Sequence, residues 1–184
     1  MFTNQNNNQV GGDVVAGDKT VNIYNPIGLN ELQKLYEELK ANGIGDTSNG
    51  KFSEKLQHYL SAQTNGDVRG LQEKLAASGR LDQLDLATLL KEGATKSIMR
   101  HQMSRTAQRI YVIILDELHT GFELIVKPYI EASESRANVD KRTLELLQGI
   151  SALLGENVLE FTIKDLHGLL YFLGGNCHIR WDKC

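Results

Sequence analysis

The stretch Gly12 to Thr20, Gly-Asp-Val-Val-Ala-Gly-Asp-Lys-Thr, is the first place where residue types and spacing point toward chemistry. A phosphate-binding loop needs Gly, four residues, then Gly-Lys-Ser/Thr, so that backbone N–H groups cradle the phosphates and the lysine reaches them. Here Asp18 stands between Gly17 and Lys19 and puts a carboxylate where a phosphate would sit. The following Val21-Asn22-Ile23-Tyr24 favours strand, not the helix whose N-terminal dipole such a site uses. The register and the context both exclude nucleotide binding.

Five histidines, His58, His101, His119, His167 and His178, show no His-x-x-x-His or His-Glu-x-x-His spacing. Cys177 and His178 are adjacent, and Cys184 follows seven positions later. Three ligands so placed are too few for a closed tetrahedral zinc site, so neither a metal nor a cofactor is expected. Asp116-Glu117 with His119 could serve acid–base chemistry, but a helix surface is the ordinary home of such residues. No nucleophile with a matching base can be named. The expectation is a protein that is not an enzyme. The catalytic alternative is a site completed only between subunits, through His119 or His178.

Composition narrows the class further. The 184 residues are 41% hydrophobic and 23% charged, with a formal net charge of −3. These values suit one soluble domain with its own core. No positive surplus draws the chain to phosphate backbones, so direct nucleic-acid binding would need a local basic patch. The longest candidate runs from Lys96 to Arg109, with Arg100, His101 and Arg105 between, and a DNA-binding regulator using that face is the rival reading. At helical spacing it reads more simply as a solvated face. The N-terminus has neither a basic nor an apolar leader region, and the apolar run Ile110–Leu115 is too short to span a bilayer. A cytoplasmic location without membrane contact is expected.

The elements that must position these residues divide the chain unevenly. Residues 1–25 read as a flexible Asn/Gln-rich leader followed by a β-forming arm. Val10, Val15, Val21, Ile23 and Tyr24 favour strand, while Gly12-Asp13 and Gly17-Asp18 punctuate it and Lys19 adds charge. Nothing after the arm looks like a strand. Its open edges therefore need copies of themselves in other subunits, which predicts a homo-oligomer. Residues 26–43 form a connecting helix, with Asn30 as N-cap, and 44–51 a linker. Residues 52–184 form an α-helical domain. Within it a long helical region carries Ile98, Ile110, Ile113, Ile114, Leu118, Phe122 and Ile125 and ends or kinks near Pro128. A last helix is capped by Thr162 and Asp165, stapled by Phe161 and Leu166, and stopped by Gly174-Gly175. The fold class is mainly α, a helical bundle with a short N-terminal β-strand oligomerisation arm.

The end of that domain carries a resemblance. Asp165-Leu166-His167-Gly168-Leu169-Leu170-Tyr171-Phe172-Leu173, then Asn176-Cys177-His178-Ile179-Arg180-Trp181, resembles the closing motif of C-terminal domains in bacterial ABC-three-component conflict systems, the Lamassu-type antiviral group. The motif positions are His167, Gly168, Tyr171, Cys177, His178 and Trp181. The resemblance covers roughly Phe52 to Cys184, and the Gly-Asp-Lys arm is similar to short β segments of other bacterial conflict proteins. It implies a helical domain that couples an effector to an SMC-like ATPase and a small middle component, with nucleic acid reached only indirectly. No effector domain precedes it in this sequence, so the implied function is that of a non-enzymatic oligomeric scaffold or adaptor.

Overall fold

Leucine and isoleucine stripes at helical spacing build the molecule. A computed structural model describes residues 29–45, 49–62 and 69–182, and all regular structure among them is helical. The order is α1 (Leu29–Asn42), α2 (Glu54–Leu60), α3 (Leu71–Ala77), α4 (Leu84–Arg100), α5 (Arg105–Gly121), α6 (Lys127–Glu131), α7 (Arg136–Leu153) and α8 (Ile163–Gly175). A 3-10 turn, Leu81–Gln83, leads into α4, and a π-helical turn, Phe122–Val126, joins α5 to α6. The mainly α architecture is as expected. The arm (Val10, Gly12, Asp13, Val15, Gly17, Asp18, Lys19, Val21, Ile23, Tyr24) and Cys184 lie outside the described residues.

Helix α5 is the axis of the core. Every residue from Ile110 to Leu115 is buried, as are Ala107, Gln108 and Leu118, so the helix is apolar over most of its circumference and needs cover on several sides. That cover comes from α1, α2, α7 and α8. The closest helix pair is α4 with α8. It depends on Gly168, where a Cβ would lie 2.7 Å from the Leu90 carbonyl oxygen. Bare backbone at that point lets the two helices touch.

The single long helical region expected through Ile98 and Ile125 is broken twice. Arg100 ends α4, and Ser104 restarts the chain as N-cap of α5, its hydroxyl accepting the Ala107 N–H at 3.2 Å. The second interruption is the π turn, where the Lys127 N–H reaches back to the Phe122 carbonyl. The wider turn stops directly before Pro128, which has no N–H to continue an α ladder. At the other end of the chain, α1 already includes Asn30 in its first turn, so Asn30 does not precede the helix as its cap.

The last helix begins as its sequence dictates. The Thr162 hydroxyl accepts the Asp165 N–H at 3.2 Å, and the Asp165 carboxylate accepts the Thr162 N–H at 2.9 Å. Phe161 and Leu166, the stapling pair, are both buried. The helix also ends where expected, with Gly175 its last residue and Asn176 its C-cap, although both glycines stand inside the last turn and neither takes the left-handed position. A Schellman arrangement closes it at that point, with the His178 N–H on the Leu173 carbonyl at 2.9 Å and the Cys177 N–H on the Gly174 carbonyl at 3.3 Å. Cys177 occupies the left-handed position, φ 63°, that glycine usually fills. The two glycines answer a demand for space. A Cβ on Gly174 would sit 2.5 Å from the Trp181 ring.

Candidate functional site

The turn Leu81–Gln83, α7 and α8 surround a shallow groove of about 210 Å³. Helix α8 presents Ile163, His167 and Tyr171 at successive turns to it, the i, i+4, i+8 register that the capping box fixes. His167 stacks on Tyr171, with ring centroids 4.5 Å apart and planes 28° from parallel. Trp181 closes the floor, 5.5 Å from the Tyr171 ring and edge-on to Phe122 at 5.8 Å. Burial pushes the His167 imidazole below its ordinary value, opposed by the field of Asp140, and it pushes the Tyr171 phenol up.

One end of the groove is ionic. Arg80 is only 4% exposed, and its Nη2 donates to Asp140 Oδ1 at 2.6 Å. Arg136 extends the chain of charges, with two parallel bonds to Asp82 at 2.8 Å and a longer contact to Asp140 at 3.5 Å. The Arg136 bonds hold the Asp82 carboxyl below its usual range. At the mouth the surface is apolar. Leu144 is 47% exposed and Ile163 40%, both lining the groove, while Leu81, 52% exposed, lies in the turn at its edge. A volume of this size is below the roughly 300–1,000 Å³ of small-molecule sites, so it suits one anchoring side chain of a protein partner.

Cys177 and His178 belong to a different place, a clasp between the C-terminal tail and the end of α2. Asn176 Nδ2 donates to the Tyr59 carbonyl at 2.9 Å, and a His178 ring nitrogen meets the same oxygen at 3.3 Å. Cys177 Sγ lies 3.7 Å from the Arg69 carbonyl, and Arg69 pairs with Asp182. His58 and His119 flank His178, with ring centroids at 5.2 and 6.5 Å. Burial first, then the two neighbouring imidazoles, lower the His178 pKa. Among the described residues no group of three His, Cys, Asp or Glu is arranged to hold a metal ion. The Asp116 carboxylate accepts the Tyr59 hydroxyl.

The six motif positions thus separate. His167, Tyr171 and Trp181 share the groove, Gly168 serves the α4–α8 crossing, and Cys177 and His178 sit in the clasp. The basic stretch Lys96–Arg109 is likewise divided by the turn between α4 and α5, with Lys96 paired to Glu92 and His101 bonded to the Ser97 carbonyl. Of the three residues that hold these places together, Lys74 and Arg80 went unremarked in the sequence, and Asn176 was read only as part of the motif. Lys74, Arg80 and Asn176 are polar residues whose partners lie far away along the chain. Only Lys74 had a local signal, since it sits between Leu71 and Leu75 on the buried face of α3.

A family model for C-terminal domain 9 of the ABC-three component (ABC-3C) systems matches residues 70–181. The chain belongs to this family. The matched span opens at Gly70, the N-cap of α3, and closes on Trp181, so the ABC-3C domain takes in the groove and the clasp residues Asn176, Cys177 and His178. ABC-3C systems are multi-component conflict systems, and membership implies protein partners. No curated protein and no solved structure matches the chain. No helix among the described residues is long and apolar enough to cross a membrane.

Proposed function

We propose that this ABC-3C domain is a non-catalytic adaptor that couples components of a bacterial antiviral system, and that the α7–α8 groove is its docking point. The observation that carries the reading is the apolar mouth formed by Leu144 and Ile163 above a floor of His167, Tyr171 and Trp181. Apolar side chains exposed around a small pocket favour a protein partner, whose aromatic or aliphatic anchor would displace water there. The ionic end supports a fixed geometry. Arg80 is already satisfied by Asp140 and Ser78, so it orients the wall and does not seek a substrate.

The partners in this reading are an SMC-like ATPase and a small middle component, with nucleic acid met only through them. The reading also includes a homo-oligomer assembled by the arm Val10–Tyr24, whose Gly-punctuated, β-branched sequence favours strand pairing between copies. Co-expression of the full chain with the ATPase and middle component of its own system tests the coupling. Co-elution of all three is expected, and separate elution would overturn it. Deleting residues 1–24 should lower the mass in solution while helical circular dichroism persists. An unchanged mass would remove the arm from the account.

A further inference from the structure

A second cleft, of about 590 Å³, opens between the start of α2 and the start of α5. Its cationic walls are Lys51 and Lys55 on one side and Arg105 and Arg109 on the other, with Glu54 the one carboxylate among the described residues that line it. This is a concentration of positive charge in a chain whose net charge is −3. The buried Gln108 builds it. Its Oε1 accepts the Ser53 N–H at 2.7 Å, and its Nε2 donates to the Lys51 carbonyl at 3.1 Å and to the Gln102 carbonyl. One side chain therefore fastens the segment carrying Lys51 and Lys55 against the helix carrying Arg105 and Arg109.

The first turn of α5 holds no acidic residue, and Arg105 opens the helix at its positive end. Cations there oppose the helix dipole, and local rules are most often broken where function requires it. Arg109 is offset by Glu31 of α1 at 2.6 Å. The half-buried Phe52 supplies apolar surface beside the charges.

We propose that this cleft docks a short acidic, amphipathic segment of a partner protein, its carboxylates on Lys51, Lys55 and Arg105 and its apolar face on Phe52. Charge complementarity selects the sign of the occupant. Reach selects its kind. Arg105 and Arg109 are one helical turn apart, about 6 Å of rise. A duplex presents a charge about every 1.7 Å and is held by long basic stripes. The inference does not rest on the α7–α8 groove.

Fluorescence anisotropy on the full chain tests it, using a labelled Glu/Leu amphipathic peptide, its Gln-for-Glu counterpart and a labelled duplex DNA. The Glu peptide should bind most tightly, weaken as salt rises, and lose about fivefold or more in affinity in Lys55→Ser/Arg105→Ser. The variant Lys51→Ser/Lys55→Ser, which leaves α5 untouched, should lose a similar factor, and Lys141→Ser on α7 should lose none. Equal binding of the Gln peptide, tighter binding of the duplex, or unchanged affinity in both double variants would overturn the proposal.

Discussion

The ammonium of Lys74 on α3 donates to the carbonyl of Gly174 on α8 at 2.7 Å, and the lysine is 1% exposed. The bond places a cation at the negative end of α8, where the last carbonyls lack helical partners. Lys74→Ala removes both the charge and a buried hydrocarbon stem. It should cost about 2–4 kcal/mol in urea unfolding, through a cavity and an orphaned carbonyl. A midpoint equal to wild type would show that the contact is dispensable.

Gly168 and Gly149 should respond to alanine in opposite directions. At Gly168 the added methyl meets the Leu90 backbone, which no rotamer change can clear, and a loss of about 1–3 kcal/mol is expected. Gly149 sits in the interior of α7 with nothing within 4 Å of a Cβ. Alanine there should stabilise by about 0.5–1 kcal/mol through helix propensity. Thermal melts of the two variants moving the same way would contradict the packing of α4 on α8.

Cys177 carries the cost of a left-handed backbone at the end of α8. Cys177→Gly should raise stability by about 0.5–1 kcal/mol, the ordinary advantage of glycine at that position. A fall in melting temperature would mean that the thiol's contact with the Arg69 carbonyl outweighs the strain.

The end of α8 also marks the limit of what the sequence could tell. The caps and stripes of α8 were legible because capping and amphipathicity are local. Gly174-Gly175 marked where α8 stops but not why both are glycine, because that reason lies in Trp181 and Lys91 packed against them. The break at Ser104 was missed because flanking isoleucines keep helical spacing across it. The motif read as one unit, from His167 to Trp181, serves three places, since α8 ends between its two halves.

Stability should fall in mild acid. His167 and His178 both have folded pKa values below their ordinary 6.5, so the unfolded chain binds protons more readily than the folded one. The contribution is complete above 6.5 and is lost as pH drops from there toward the lowered folded values. His178→Gln should flatten the dependence of melting temperature on pH between about 7.5 and 5, even if it lowers the melting temperature overall. An unchanged slope would show that the clasp does not disfavour the imidazolium.

The groove makes the adaptor account testable at a single surface. Leu144 and Ile163 are exposed, so replacing both with arginine should leave the fold intact while placing charge at the mouth. Binding of the full chain to the purified ATPase and middle component, measured by calorimetry for wild type and Leu144→Arg/Ile163→Arg, is the most direct measurement. The account predicts binding by wild type and a loss of about tenfold or more in the double variant, equivalent to at least about 1.4 kcal/mol at a desolvated contact. Equal affinity for both proteins, or no binding by either, would contradict it.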